Sequence, residues 1–309
     1  MKHVVVLIFF IIGFQAENYS QAYEIKDNIK RIVFLGNSIT YQGGYIDYID
    51  TYLSIKYPEK NYEIINVGLP SETVSGLSEP NHAKGAFPRP DLHERLDRIL
   101  TKTKPDLVLA CYGMNDGIFM PYDDNRFKKY KDGVNWLHDK IKKFGAEIIH
   151  ITPPIYDEQK GKAYANVLDI YANWLISNRY TSNWNVIDIH SPMKKNLEKQ
   201  RLLDSTFVFA KDGIHPNKKG HFLIAKHILI YLGQTEFTKI DDIKSFLSTY
   251  QNGKKILSHV EKKQAIMKDA WLTSIGHLRP RMKLGLPIDE ARQNTIEIEK
   301  QIRLLLKKE

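Results

Sequence analysis

The sequence predicts an α/β protein, a three-layer α/β/α sandwich on a parallel sheet, and three observations carry that reading. Five short runs rich in aliphatic and β-branched residues recur between residues 31 and 189, each closing near turn-forming residues. Longer stretches with helical spacing separate them. The runs are apolar at consecutive rather than alternating positions, as strands covered on both faces must be.

Ahead of the first run, Met1-Lys2-His3 is followed by apolar residues from Val4 to Phe14 and by small or polar ones around Ala16 and Ala22. A membrane-spanning helix needs about 20 apolar residues. Residues 1–22 are therefore read as a signal peptide cleaved after Ala16 or Ala22, with an uncleaved anchor as the alternative. The chain is expected to be exported, periplasmic or extracellular, with no stable membrane insertion after cleavage.

Strands are expected at Arg31 to Gly36, Tyr62 to Val67, Asp106 to Tyr112, Ala146 to Thr152 and Asn185 to Ile189. Helices are expected at about Tyr45 to Tyr57, Leu92 to Thr103, Asn125 to Phe144, Lys162 to Arg179 and Asn217 to Leu232. These elements make residues 23–234 one domain. Beyond about Thr235 the β-rich runs stop. Leu257, Val260, Gln264, Met267 and Trp271 recur at three- and four-residue steps, as do Ile288, Ala291, Thr295, Ile298, Ile302 and Leu305. With Gly and Pro breakers between Gly276 and Pro287, residues 235–309 read as a helical hairpin packed on the sandwich. Its role is either support or a wall of the substrate cleft.

Composition narrows the partners. Of 309 residues, 42% are hydrophobic and 26% charged, enough for a full-sized core. The only cysteine, Cys111, excludes an intramolecular disulfide and lies in the apolar run LVLACY, where it reads as a small buried hydrophobe. The formal charge is +9, but the bases are mixed with acids and not interleaved with aromatics. That argues against nucleic acid and leaves a bias toward acidic substrates. No Cys pairs or His-Glu-x-x-His spacing accompany the eleven histidines, so no metal site is expected. His221 and His227 fit the surface of one helix.

Ligands of parallel sheets sit beyond the carboxyl ends of the strands, so the residues closing each run are the candidates for chemistry. The first run leads into Gly36-Asn37-Ser38-Ile39-Thr40, the second into Asn66-Val67-Gly68, and the third into Tyr112-Gly113-Met114-Asn115-Asp116. The chain after the fifth reaches Asp212-Gly213-Ile214-His215-Pro216. A serine needs a base to become a nucleophile, and the base needs an orienting group. Ser38, His215 and Asp212 supply those three types, and Asp-x-x-His lets one short segment carry both partners. Negative charge on an acyl oxygen needs converging donors, which the Gly68 N–H and the Asn115 amide can provide. Taken singly, each of the five reads more readily as a cap, turn or loop residue.

In combination, GNSIT, NVG, GMND and DGIH resemble, in order, the four sequence blocks of the SGNH hydrolases, the GDSL lipase/esterase family. The resemblance spans about residues 31 to 232. It implies a flavodoxin-like sheet, no metal or organic cofactor, and ester hydrolysis through an acyl-enzyme. It also implies Ser38 as nucleophile and oxyanion donor, Gly68 and Asn115 as further donors, His215 as base and Asp212 as its partner. Two departures stand out: Asn37 where many members carry Asp, and a second-block glycine replaced near Ser71.

The substrate is expected to be a small-molecule or polysaccharide ester, foremost O-acetyl groups on carbohydrate, with Tyr41, Tyr45, Phe87, Tyr112, Phe119 and Tyr122 as possible cleft aromatics. A lipid or aryl esterase or lysophospholipase is the alternative within the same chemistry, and a non-catalytic glycan-binding protein the alternative outside it. Nucleotide or flavin binding is disfavoured because GNSITYQGG lacks the G-x-G-x-x-G spacing.

Overall fold

Five strands, β1 (Arg31–Gly36), β2 (Glu63–Asn66), β3 (Leu107–Cys111), β4 (Glu147–Ile151) and β5 (Val186–Ile187), pair in parallel in the order β2-β1-β3-β4-β5. They belong to a computed structural model that describes residues 22–307. The expected signal segment lies outside the described residues except for Ala22. Helices cover both faces of the sheet and bury its strands: all five residues of β3 are buried, as its unbroken apolar run requires.

Helices α1 (Ser38–Gln42), α2 (Gly44–Lys56), α3 (Leu96–Thr103), α4 (Asp124–Phe144), α5 (Glu158–Thr181), α6 (His190–Leu203) and α7 (Lys218–Tyr231) alternate with the strands or follow them. Helices α2 and α7 pack against each other. Helix α4 meets α5 through Tyr130 stacked on Tyr171, and His93, just ahead of α3, stacks on Trp136 of α4; with α2 and α7 these helices form the outer layers of the expected three-layer sandwich. Local chemistry sets the ends. The Asp123 side chain accepts the Arg126 N–H to start α4, and Gly145, at φ 97°, closes it with a donor to Ile141 O and Lys142 O.

The boundaries differ from expectation in physically informative places. The helix expected from Leu92 divides at Arg95 (φ −125°, ψ −7°): Leu92–Glu94 form a 3₁₀ turn and α3 begins at Leu96. Arg95 is turned into the core toward Glu72, a tertiary demand that overrides helical spacing. Helix α6 is not anticipated at all, because only His190, Met193 and Leu197 of its 14 residues are buried and the apolar signal is sparse.

Beyond residue 234 come a 3₁₀ turn (Thr235–Lys239), α8 (Ile243–Ser248) and the hairpin of α9 (Gly253–Ile275) and α10 (Ile288–Leu306). Helix α9 runs against α2, β2 and α3, so it covers the exposed edge of the sheet. Gln264, a buried polar residue within its apolar stripe, has a specific task there. Its Nε2 donates to Ile64 O at 3.1 Å, on the edge strand, and to Asp50 Oδ2 at 2.7 Å. Gln264→Leu should therefore destabilise the fold by about 1–3 kcal/mol by stranding buried acceptors. A lower urea midpoint at unchanged slope is the expected readout.

Candidate active site

Ser38 opens α1 immediately beyond β1. The Asn37 side chain caps that helix by accepting the Ile39 N–H at 3.3 Å, so Asn37 performs the capping task without a charge. At the first helical position the Ser38 N–H lacks an intrahelical acceptor and is available to a ligand.

His215 lies in the loop before α7. Its Nε2 is 2.8 Å from Ser38 Oγ and its Nδ1 is 2.6 Å from Asp212 Oδ2. Asp212 Oδ1 accepts the backbone N–H groups of Ile214 and His215, both at 2.9 Å. Burial acts to raise the Asp212 carboxyl, but the His215 backbone and ring and the Ile214 N–H outweigh it and hold the group at about 2. A carboxylate can only accept, so the Nδ1 must carry the proton, which leaves the Nε2 lone pair facing the serine hydroxyl.

Two elements hold this loop from behind. Gly213 stands at φ 84°, and a Cβ there would approach the Lys160 side chain to 3.0 Å, so the position is glycine for both conformation and space. The Gly213 carbonyl accepts the Asp157 N–H at 3.1 Å. Asp157 is in turn gripped by Arg201 of α6 at 2.9 and 2.7 Å. The unanticipated helix thus steadies the loop that carries His215.

Gly68 follows β2. A Cβ there would lie 2.4 Å from the Tyr41 nitrogen and 2.8 Å from the Thr40 carbonyl carbon, so glycine is what lets this loop abut α1. Asn66 joins the same two segments: its Nδ2 donates to Thr40 O at 2.7 Å and its Oδ1 accepts the Gly68 N–H at 3.0 Å. The Gly68 N–H could therefore serve an oxyanion only as a shared donor. Asn115, after β3, gives one amide hydrogen to Glu72 O at 3.1 Å and has a second to offer.

A buried network fixes these donors. Arg95 and Glu72, both with 0% side-chain exposure, pair at 2.6 and 2.8 Å. Arg95 also reaches Val67 O at 2.8 Å, and the Tyr112 hydroxyl donates to Glu72 at 2.6 Å. Asp116 accepts the N–H groups of Val74, Ser75 and Gly113 at 2.8, 2.9 and 2.8 Å. These supporting residues carry no local sequence signal, except that Asp116 closes the GMND block. Ser71 adopts φ 69°, a left-handed geometry in which glycine is at ease, so the departure there changes the residue and keeps a glycine-like bend.

Three expectations need correction. Tyr45 and Tyr112 are buried, Tyr45 against Thr40 and Tyr112 against Glu72, and do not line a cleft. His221 is not on the outer surface of α7: it is buried, stacked on Tyr45, and desolvation together with nearby His215 lowers it to about 4. Cys111 is buried as expected, and desolvation pushes its thiol up to about 12.

Comparison with known proteins agrees with this architecture. An acetylxylan esterase of Geobacillus stearothermophilus is 23% identical over 226 residues, 66% of this chain and 94% of that protein. A crystal structure of that esterase aligns with a TM-score of 0.53 at 22% identity, over 66% of this chain and 94% of the other. A gut microbial diltiazem-metabolizing enzyme aligns at 0.53 and 20% identity, over 69% of this chain and 49% of its own. At these identities the solved structures establish the fold alone. Residues 34–223 match the GDSL-like Lipase/Acylhydrolase family, and with the strand order and rim residues described above, the chain belongs to that family.

Proposed function

We propose that this chain is an exported esterase that removes O-acetyl groups from carbohydrate, with Ser38 as nucleophile, His215 as base and Asp212 as its orienting partner. As a family member it is a serine hydrolase of carboxylic esters. The observation that carries the assignment of roles is the hydrogen-bonded chain Ser38 Oγ, His215, Asp212, at 2.8 and 2.6 Å. The acetyl preference is supported by the acetylxylan esterase relative, and export by the Val4 to Phe14 apolar run behind a basic start.

In this reading His215 Nε2 takes the hydroxyl proton as Ser38 Oγ attacks the acyl carbon. The Ser38 N–H and the second Asn115 amide hydrogen bear the oxyanion, with Gly68 sharing its N–H. Collapse of the tetrahedral species breaks the ester C–O bond, and His215 returns the proton to the departing alcohol. Water then enters by the same path and releases the acid.

Ser38→Ala should lower kcat by about 10⁶-fold while the unfolding transition persists, and an organophosphonate should label the native chain at Ser38. Failure to label would favour the non-catalytic glycan-binding alternative. Acetate should be released from acetylated saccharides much faster than longer acyl chains from matched esters; the reverse order would indicate a lipid esterase.

The Asp212 pair also sets a pH dependence. Its folded pKa, about 2, lies below the ordinary 3.8, so its stabilisation is complete above that ordinary value and is lost as pH falls through about 2. Asp212→Asn should lower kcat by about 10⁴-fold at neutral pH. Its stability deficit relative to the native chain should shrink between about pH 4 and pH 2, as urea unfolding at each pH would show.

A further inference from the structure

The turn between α9 and α10 presents a cation with no carboxylate partner. Arg279 is half-buried against the loop that leaves Gly68: its Nε–H donates to Pro70 O at 2.9 Å, and its Nη1 to Pro280 O at 3.1 Å and to Met282 Sδ at 3.0 Å. The guanidinium carbon lies 5.3 Å from the centre of the Phe87 ring. Among the described residues no carboxylate stands within ion-pair distance of it, whereas nearby Arg89 is paired with Glu79 and Lys283 with Asp269. Burial lowers the Arg279 pKa, with Tyr41 opposing.

The same aromatic ring has a second polar neighbour. His82 stands edge-on to Phe87 with ring centres 5.2 Å apart. Its Nδ1 is 3.2 Å from Glu79, and its buried Nε2 has no hydrogen-bond partner. The cluster adjoins the reacting atoms. Pro70 is two residues past Gly68, at most about 7 Å of chain, and Gly68 abuts Tyr41 on the helix that begins with Ser38. Tyr41 and Arg279 lie close enough for each charge to be felt by the other.

We propose that Arg279, Phe87 and His82 form a subsite for a carboxylate-bearing sugar adjacent to the acetylated unit, so that the preferred substrate is an O-acetylated acidic glycan. With Nε and Nη1 engaged, the guanidinium meets a carboxylate through Nη2, a charge-assisted donor already pointed by the Pro70 contact. The Phe87 ring offers an apolar face to a sugar, and His82 Nε2 an acceptor for a hydroxyl. A net charge of +9 favours the approach of such a polymer. The subsite rests on the esterase reading.

The test measures kcat/KM for acetate release from O-acetylated oligogalacturonides and from O-acetylated xylooligosaccharides of equal length, for the full chain and for Arg279→Gln and Arg279→Lys. The acidic-to-neutral ratio should exceed one, fall with rising salt, drop about tenfold in Arg279→Gln through KM, and drop less in Arg279→Lys. A ratio near one in the native chain, or one that Arg279→Gln leaves unchanged, overturns the subsite while the esterase stands. If the variants do not fold, a salt-insensitive ratio in the native chain overturns it equally. No acetate from either substrate sinks both readings.

Discussion

Strand β1 is hydrogen-bonded to β2 on one side and to β3 on the other, and the candidate site exists because of that arrangement. Parallel strands release their chains at the same edge of the sheet, and the direction of winding reverses between β1 and β3, so the segments leaving all three diverge around one crevice. Ser38, Gly68 and Asn115 are the first or near-first residues out of β1, β2 and β3. Only His215 and Asp212 must be brought from elsewhere, and α7, packed on α2, brings them. Ser38 and His215 thus meet across 177 residues of sequence through the packing of two helices on one face.

Precision at that crevice comes from backbone groups held by buried side chains. Asn66, Arg95 and Asp116 each grip the main chain of another loop, and the Glu72 carboxylate holds the Arg95 and Tyr112 side chains. A fully buried ion pair such as Arg95 with Glu72 is costly to desolvate and is a weak source of net stability. Here it positions the Val67 carbonyl and, through the Glu72 carbonyl, the Asn115 amide, so its consequence is geometric. The same logic operates behind His215, where Arg201 grips Asp157 and the Asp157 N–H holds the Gly213 carbonyl.

The hairpin of α9 and α10 solves a different problem. A five-stranded sheet leaves β2 as an edge, and an uncovered edge invites pairing with another chain. Helix α9 lies along it and lends the Gln264 amide to the Ile64 carbonyl. Covering that edge places the turn between the helices beside the Gly68 loop, where Arg279 meets Pro70 and Phe87. Support of the sheet edge follows from that placement, and a part in the cleft wall belongs to the proposed Arg279 subsite.

Consecutive apolar residues in five runs, helical spacing between them and polar blocks at the run ends were sufficient to indicate the sandwich, the parallel sheet and the five candidate residues, because each signal is local. The hairpin was legible for the same reason: its apolar stripe recurs with helical period. Helix α6 was not, since a helix with three buried residues shows little periodicity, and the break at Arg95 was not, since its cause is Glu72, 23 residues away. Tyr45, Tyr112 and His221 looked available to substrate or solvent until packing put them inside. Sequence by itself determined which side chains could do chemistry and on which rim they emerge, because strand ends are set by local residue types. Tertiary structure alone decided which backbone N–H groups are already engaged, which rings are buried and that Arg279 has no carboxylate beside it among the described residues, because those depend on contacts between residues distant along the chain.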